Sequence, residues 1–462
     1  MEEKLYLYYS NDLHSQFDNW SKMVHYFQKQ KQQRIKEGNE SWLIDIGDHV
    51  DRCHPIAEAH LGKANVELLN DANYDLVTIG NNEGITLDYQ DLYHLYDEAN
   101  FEVICGNLKS IGDDNPAWLK TSTIMESSNG VKIGFLGLTA PFNAFYNLLG
   151  WEVESPFEVL EQEILEIKEK CDIIVFLSHL GINDDEEIAR RFKDIDVIVG
   201  GHTHHLFKNG EYVDGTLLTA AGKHGNYVGE IILTWDHDEK KLIKKEAYAT
   251  SIEFSDRDVI TENKLEGFKA SAKEKLSETV VTLESPLLAD WYTVTPIMEA
   301  LTEDLRRWTN ADIGMLNAGV LLESFQKGNV TLADVHRICP HPINPCTVEL
   351  TGQEITEIIR ASLEPKLTHM KLQGFGFRGK VIGKIIFSGI HVALKEVEND
   401  QIFIHHIYVD GKPLDSQKKY LLATGDMFTF GRMFPEISRS ENKKYFMPEF
   451  LRDILASTLV KF

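Results

Sequence analysis

Side chains that could hold metal ions follow five apolar runs of the sequence, each long enough for one buried strand. The five segments are NDLH (11–14), GDHVDR (47–52), GNNE (80–83), SHLG (178–181) and GHTHH (201–205). In an open α/β sheet the carboxyl ends of the strands border the crevice where ligands bind. Carboxylate and amide oxygens mixed with imidazoles suit divalent ions such as Mn²⁺, Fe²⁺ or Zn²⁺. The pattern therefore predicts a divalent metal site.

Each segment alone also has a plain structural interpretation. An Asp in a Gly-Asp turn often satisfies the backbone of its own loop. A lone loop histidine is more often a surface residue than a ligand. His202 and His204 are stronger candidates, because residues two apart in an extended segment point to the same side. Five such segments in succession favour a metal site over coincidence.

The elements between these segments predict an α/β fold in the first half of the chain, since short β-rich runs alternate with helical patterns. The predicted strands are KLYLYY, SWLIDI, DLVTI, FEVICG, VKIGFLGL, DIIVFLS and DVIVGG. The predicted helices include Ile56–Asp71, Asp88–Asn100, Pro156–Lys170 and Asp184–Lys193. Consecutive strand patterns from Thr216 to Trp235 indicate antiparallel pairing at the end of the sheet.

The length of 462 residues is too great for one ordinary hydrophobic core. A Lys/Glu-rich stretch with weak helical periodicity, NKLEGFKASAKEKLSETVVTLE, is typical of a solvated connector. The sequence after it has a different character, with glycine-punctuated strands. We therefore expect one domain at 1–255, a connecting helix and linker at 256–288, and a second domain at 289–462.

The net charge and the cysteines argue against several classes of protein. A net charge of −25 disfavours a nucleic-acid polymer or an anionic membrane as partner, because both require a basic surface. The five cysteines show no CxxC spacing, which suits a reducing compartment. The start MEEKLYLYYS has no basic or apolar signal region, and no run approaches the ~20 apolar residues of a membrane span. We expect a cytoplasmic protein; the sequence leaves its oligomeric state open.

The series D-x-H, G-D, G-N-x-E, S-H-x-G and G-H-x-H resembles the calcineurin-like metallophosphoesterases, in order and spacing, through about the first 250 positions. The resemblance implies a two-sheet α/β/β/α sandwich that holds two divalent ions. Mn²⁺, Zn²⁺ or Fe²⁺ are favoured, with Co²⁺ or Mg²⁺ as alternatives. It assigns Asp12, His14 and His204 to one ion and Asn81, His179 and His202 to the other, with Asp48 bridging. Such a pair activates a water for attack on phosphorus.

The second half resembles the substrate domain of the 5'-nucleotidase branch, a smaller α+β domain. The resemblance rests on LNAGVLLESFQKGNVTLADVHRICP, VELTGQEITEII and KKYLLATGDMFTFG. It implies that Asn317 with Gly319, Asn344 and Phe428 cradle the nucleoside of a small nucleotide substrate. Phe428 would stack on the base, or it is a core residue.

This domain also departs from the pattern of the branch. An Arg usually lies five residues after the Asn of the N-x-G turn, and Leu322 takes its place here. The segment GFGFRG (374–379) offers Phe377 and Arg378 as substitute substrate contacts. Glycine-rich hairpins of this kind often have no chemical role, so nucleoside specificity carries over less well than the fold.

The catalytic position after Asn81 raises a separate question. The related motif has a His at this place and an Asp three residues later, which together protonate the leaving oxygen; here they are Asn82 and Ile85. General acid catalysis is typically worth about 10²–10⁴-fold, so loss of this pair predicts weakened turnover for poor leaving groups.

Other side chains could compensate for the missing pair. Arg52 of GDHVDR is predicted to hold the substrate phosphate, or to form a structural pair with Asp51. His49, His54 and His205 are the alternative proton donors.

Three functional hypotheses follow. The first is a metal-dependent 5'-nucleotidase that releases phosphate from nucleotides. The second is a nucleotide-sugar or dinucleotide pyrophosphatase, or a 2',3'-cyclic-nucleotide phosphodiesterase, whose leaving groups need less protonation. The third is a nucleotide-binding protein without turnover.

Overall fold

The computed structural model of the chain describes residues 1–372, 374, 376–397, 401–431 and 433–462. These residues form two compact units, Met1–Ala272 (unit 1) and Lys273–Phe462 (unit 2). The division falls within the segment 256–288 that the sequence predicts as a connector. A helix, Val259–Lys275, begins in this segment and crosses the division.

Unit 1 is built from strands that alternate with helices. Its strands are β1 (Glu2–Ser10), β2 (Glu40–Asp45), β3 (Leu76–Thr78), β4 (Glu102–Ile104), β5 (Leu108–Ser110), β6 (Leu119–Lys120), β7 (Ser122–Glu126), β8 (Lys132–Thr139), β9 (Trp151–Val153), β10 (Ile173–His179), β11 (Val197–Gly200), β12 (Glu211–Val213), β13 (Thr216–Thr219), β14 (Tyr227–Asp236) and β15 (Lys241–Ser251). Its helices are α1 (Trp20–Glu37), α2 (Pro55–His60), α3 (Lys63–Asp71), α4 (Asn81–Thr86), α5 (Tyr89–Tyr93), α6 (Asn143–Tyr146), α7 (Pro156–Ile167), α8 (Ile182–Arg191) and the crossing helix α9 (Val259–Lys275).

Two large sheets form unit 1, all of whose residues are described. One has seven strands in the order β15-β14-β1-β2-β3-β4-β6, and the other has six in the order β12-β13-β11-β10-β8-β7. Strands β1 to β4 run parallel, as do β8, β10, β11 and β13. The pairs β1–β14 and β14–β15 are antiparallel.

The hydrophobic core of unit 1 lies between the two sheets. Alternate residues of strands from both sheets are fully buried in one cluster, among them Leu5, Leu7, Ile44, Val175 and Val197. A second cluster joins the other face of the six-stranded sheet to α7 and α8. On the seven-stranded sheet, Phe27 of α1 packs on Tyr8, with ring centroids 6.5 Å apart. These layers confirm the predicted α/β/β/α sandwich.

Unit 2 is a smaller α+β domain, as predicted. Its strands are β16 (Thr279–Leu283), β17 (Ile313–Asn317), β18 (Gly328–Thr331), β19 (Pro345–Thr351), β20 (Ile385–Ser388), β21 (Ile390–Val397), β22 (Gln401–Val409), β23 (Lys412–Pro413), β24 (Lys419–Gly425) and β25 (Lys443–Tyr445). Its helices are α10 (Pro296–Trp308), α11 (Leu332–Ile338), α12 (Gly352–Ser362), α13 (Pro365–Thr368), α14 (Pro435–Arg439) and α15 (Leu451–Leu459). In its described part, the main sheet has five strands in the order β20-β17-β24-β19-β25.

The parallel strands of unit 1 place the predicted metal ligands. Segment 11–14 follows β1, segment 47–52 follows β2, and segment 80–83 follows β3, all on the seven-stranded sheet. His179 ends β10 and segment 201–205 follows β11, both on the six-stranded sheet. A hydrogen-bond contact of 2.7 Å between His179 Nδ1 and the carbonyl oxygen of Ile46 joins the two sheets at this edge.

Candidate dinuclear metal centre

Asp12, His14 and His204 form the first of two clusters of metal-ligating side chains. Their potential ligand atoms all lie within 4.8 Å of one another. His204 Nε2 is 3.5 Å from Asp12 Oδ1, and the Nε2 atoms of His14 and His204 face each other at 3.1 Å. Asp12 is fully buried, so its carboxylate depends on these neighbours for compensation.

Asp48, His179 and His202 form the second cluster, again with ligand atoms within 4.8 Å of one another. Asn81 joins it, since its Oδ1 lies 2.7 Å from His202 Nδ1. Asp48 also reaches the first cluster: its Oδ1 is 3.3 Å from His179 Nε2 and its Oδ2 is 3.7 Å from His14 Nε2. The structure therefore brings all seven predicted ligands together, with Asp48 between the two clusters.

The donor atoms of the second cluster fit a cation. Nδ1 of His179 faces the carbonyl oxygen of Ile46, which can only accept, so this nitrogen carries the proton. Nε2 then offers a lone pair, and it is buried without a hydrogen-bond partner in the described part of the chain. It faces the Asp48 carboxylate, another acceptor, and two acceptors at this distance require a positive charge between them.

The pKa values of the cluster have the same origin. Burial alone lowers the pKa of His179, but the Asp48 and Asp12 carboxylates outweigh it and raise the value to about 10. Burial raises the pKa of Asp48, yet His179 and His14 hold it below its ordinary value. In the metal-free protein a proton thus occupies the place of a cation.

The two remaining histidines are neutral near pH 7. Burial lowers the pKa of His204 to about 3, and the positive charges of His14 and Lys223 add to the effect. Burial, followed by His179, lowers the pKa of His202 to about 4. Neutral imidazoles keep a lone pair for a metal ion.

Left-handed backbone conformations aim several of these side chains. The φ angles are 50° at Asp12, 51° at His14, 51° at Asp48, 68° at His202 and 58° at His204. Hydrogen bonds between loops hold this backbone: His14 N donates to Asp48 O at 2.8 Å, and Asp12 N donates to Gly47 O at 3.1 Å.

Glu83 anchors the loop around Asp48, a role that the sequence reasoning did not assign. Its buried carboxylate accepts hydrogen bonds from the backbone N–H groups of Asp48 (3.0 Å), Val50 (2.8 Å) and Gly80 (3.0 Å). A Cβ on Gly80 would lie 2.1 Å from Asp48 Oδ1, so only glycine permits this approach. The conjunction of Gly80 and Glu83 in GNNE is the sequence signal for this anchor.

Asn82 contacts both clusters. Its backbone N–H donates to Asp48 Oδ1 at 2.8 Å, and its side-chain amide lies 2.8 Å from His14 Nδ1. The carboxylate of Asp51 lies 3.4 Å from the same nitrogen. Asn82 therefore orients His14, but its amide is far too weak an acid to transfer a proton to a leaving group at neutral pH.

The three alternative proton donors have other contacts. His49 is buried, its Nδ1 lies 3.1 Å from Asn65 Nδ2, and burial lowers its pKa to about 3. His54 Nδ1 accepts the backbone N–H of Ile56 and caps α2. Exposed His205 lies beside Thr203, with 3.0 Å between Nδ1 and Oγ1. None of the three belongs to the two clusters found among the described residues.

Arg52 is not placed as the phosphate-binding prediction requires. Its Nε and one terminal nitrogen donate to the Glu58 carboxylate at 2.8 and 3.2 Å, and the other terminal nitrogen donates to Thr86 O at 2.9 Å. These contacts fit the alternative of a structural role, with Glu58 as an ion-pair partner. The guanidinium thereby links α2 to the C-terminal end of α4.

Three of the predicted substrate residues in unit 2 make close contacts with the backbone of that unit. Asn317 is buried and donates from Nδ2 to Ile382 O at 2.9 Å, while its Oδ1 lacks a partner in the described part of the chain. The backbone of Gly319 packs so closely that a Cβ would lie 2.0 Å from Val381 O. Asn344 donates from Nδ2 to Glu449 O at 2.8 Å.

The aromatic contacts predicted in unit 2 are core residues. Phe428 is 1% exposed and packs edge-on against Phe434 with ring centroids 5.4 Å apart, so its ring has no open face for a base. Phe377 is 2% exposed and stacks on His341 at 5.1 Å. Half-buried Arg378 donates its backbone N–H to His341 Nδ1 at 2.9 Å.

A sixth strand-end loop, 220–226 after β13, also borders the first cluster. The ring of His224 meets His14 edge-on, with centroids 5.8 Å apart. No ligand was predicted in this loop. The polar segment GKHGN nevertheless follows the apolar run LLTA, as the other five segments follow their strands.

Fold and site together define a two-domain metallophosphoesterase. The calcineurin-like phosphoesterase family matches residues 7–206, and the 5'-nucleotidase C-terminal domain family matches residues 277–433. The uncharacterized metallophosphoesterase YunD of Bacillus subtilis (strain 168) is 42% identical over 462 residues, which is 100% of each chain. The chain therefore belongs to the calcineurin-like metallophosphoesterases that carry a 5'-nucleotidase C-terminal domain, and it is a hydrolase of phosphoric ester bonds.

Solved structures share the fold. The 5'-nucleotidase precursor of Thermus thermophilus is 18% identical, with a TM-score of 0.63 over 99% of this chain and 96% of that one. The NAD nucleotidase NadN of Haemophilus influenzae is 16% identical, with a TM-score of 0.67 over 100% and 96%. Among the described residues, no helix is both long and apolar enough to span a membrane.

Proposed function

We propose that this hydrolase acts on nucleotides and releases phosphate in the manner of a 5'-nucleotidase, with two divalent ions as cofactors. The convergence of seven ligand-type side chains on two clusters that share Asp48 carries the proposal. The names of similar proteins support the substrate class, since they include a 5'-nucleotidase precursor and an NAD nucleotidase.

The residues divide the work as follows. Asp12, His14 and His204 would hold one ion and Asn81, His179 and His202 the other, with Asp48 shared. Two divalent ions held there would neutralise phosphoryl oxygens and lower the pKa of a water, which would supply a nucleophile at neutral pH. Asn82 and Asp51 orient His14, and Glu83 fixes the loop of Asp48.

The leaving group departs without a protein acid at position 82. Water adds its oxygen to phosphorus and releases a proton to solvent, the bond from phosphorus to the leaving oxygen breaks, and that oxygen takes a proton from solvent. This favours leaving groups that are weak bases. The presence of Asn82 in place of an acid therefore supports a second candidate function. This function is cleavage of a nucleotide-sugar or dinucleotide pyrophosphate, or of a 2',3'-cyclic nucleotide.

Turnover of a substrate panel tests both candidates. The purified chain would be assayed in Mn²⁺, Zn²⁺, Co²⁺ and Mg²⁺ with AMP, a 2',3'-cyclic nucleotide, a UDP-sugar and an aryl phosphate. Asp48→Asn and His204→Ala serve as inactive controls. Fast AMP hydrolysis that both variants abolish supports the nucleotidase. Hydrolysis confined to pyrophosphate, cyclic or aryl substrates supports the second candidate, and no hydrolysis of any substrate contradicts both.

A further inference from the structure

The loop between β13 and β14 is clamped onto the loop that carries Asp12. Asn11 bridges the two loops: its Oδ1 accepts the N–H of Ala221 at 2.9 Å, and its Nδ2 donates to Gly222 O at 2.7 Å. His224 N donates to Asp12 O at 2.9 Å. Three hydrogen bonds thus fix the position of residues 221–224 relative to a metal ligand.

This clamp sets Lys223 beside the first cluster. Lys223 is half-buried, and its ammonium has no ion-pair or hydrogen-bond partner within the described ranges of the chain. Its positive charge is one of the causes, after burial and His14, that lower the pKa of His204. The next residue, His224, has a left-handed φ of 59° and turns its ring toward His14. An unpaired cation in a chain of net charge −25 is notable because acidic partners are abundant.

A phosphate monoester brings about two negative charges at neutral pH, so a protein cation beside the cluster would add to the attraction that metal ions supply. Arg52, the predicted cation, is held by Glu58 and Thr86. We propose that Lys223 is a substrate-binding residue whose ammonium pairs with a phosphate oxygen of the substrate. The inference rests on the proposed function only in that the substrate carries a phosphate group.

Binding of inorganic phosphate to the Mn²⁺-loaded full chain tests the inference without any turnover. Calorimetric titration would compare the unaltered protein with Lys223→Gln, Lys223→Arg and Lys240→Gln. Lys240 is the matched control, an exposed lysine in the β14–β15 hairpin. This hairpin lies near the start of β1, whereas the predicted metal ligands Asp12 and His14 follow the end of β1. Metal content of each variant would be measured by mass spectrometry.

We expect Lys223→Gln to weaken phosphate binding by about tenfold, the worth of one charge-assisted hydrogen bond. Lys223→Arg should restore most of the loss, and Lys240→Gln should change nothing, with equal metal content throughout. If the substrate panel gives activity, KM should rise in Lys223→Gln with kcat changed much less.

Phosphate binding that Lys223→Gln leaves unaltered overturns the inference. A loss matched by a fall in metal content does so as well, since the residue would then act on the metal site. An inactive protein that still binds phosphate through Lys223 contradicts the proposed function but supports this residue's role.

Discussion

The residues predicted to bind ligands have different surroundings in the two units. In unit 1, His179 Nε2 faces the Asp48 carboxylate and His14 Nε2 faces His204 Nε2. Nε2 of His179 has no hydrogen-bond partner in the described part of the chain, although it faces this carboxylate. In unit 2, Asn344 donates to the backbone of Glu449 and Phe428 packs against Phe434. Each of those side chains has a partner within its own fold.

The comparison distinguishes motif residues that bind a ligand from motif residues that stabilise the fold. Two buried hydrogen-bond acceptors that face each other destabilise the fold unless a cation lies between them. Such a pair therefore indicates a site for a cation. A side chain that hydrogen-bonds to a neighbouring backbone group has a structural role that needs no ligand. Asn317 lies between these cases, because its Nδ2 is bonded while its buried Oδ1 has no partner in the described part of the chain.

Replacing Asp48 tests the first half of the comparison and should have the largest effect. Asp48→Asn removes one negative charge from between the clusters, so turnover should fall by about 10³-fold or more. Metal content, measured on the same samples, should fall from two ions per chain. Two retained ions with normal turnover would contradict the bridging role.

Replacing Phe428 tests the second half. Phe428→Ala leaves a cavity in the core of unit 2, and its free energy of unfolding should fall by about 3–5 kcal/mol. Phe428→Leu should cost less and leave KM for nucleotides within about twofold. Denaturant titration and steady-state kinetics measure the two quantities. A stable Phe428→Leu protein with a much higher KM would restore the predicted stacking role.

Arg52 lies in unit 1 but should behave as a structural residue. Arg52→Ala removes the guanidinium that pairs with the mostly buried Glu58 carboxylate, and the free energy of unfolding should fall by about 2 kcal/mol. Glu58→Gln should produce a smaller loss, since its amide can still accept from Arg52. Phosphate binding should be unchanged in both variants; weaker binding in Arg52→Ala alone would favour the original prediction.

The smallest expected effect is a dependence of unit 2 stability on pH through His341. Burial lowers the folded pKa of His341 to about 3, below the unfolded value of about 6.5. As the pH falls, the imidazole therefore binds a proton in the unfolded chain before it does so in the folded protein. The stability that neutral His341 contributes is lost below about pH 6.5, at about 1 kcal/mol per pH unit. Denaturant titrations at pH 7 and 5.5 should show a gentler slope for His341→Asn. An equal slope in both proteins would exclude this origin.

The metal-ligand loops were predictable because their chemistry and their place in the fold coincide. Asp, Asn and His each have structural uses in single loops, but their succession at the ends of five strands does not, so the series as a whole carried the information. The anchoring role of Glu83 was not predicted, because only its spacing from Gly80 distinguishes it in sequence from other acidic helix residues.

Other predictions failed for local reasons. The helix predicted at Ile56–Asp71 is two helices, because Leu61 and Gly62 adopt φ angles of 49° and 80°. The glycine was visible in the sequence, but hydrophobic periodicity continues across it. The helix predicted at Asp88–Asn100 ends at Tyr93. The guanidinium of Arg52 could not be assigned in advance, since its choice of Glu58 depends on how α2 packs.

The left-handed backbone at Asp12, His14, Asp48, His202 and His204 has a kinetic consequence. Each such conformation is unfavourable by about 1 kcal/mol for a residue other than glycine, and the interloop hydrogen bonds of unit 1 maintain it. Because these hydrogen bonds involve no metal ion, we expect the loops to acquire their shape during folding of the chain. An arriving ion would then find them ordered, and the rate of its capture would be governed by encounter and by the loss of its own hydration water. Exchange of one ion for another should then proceed without refolding of the loops.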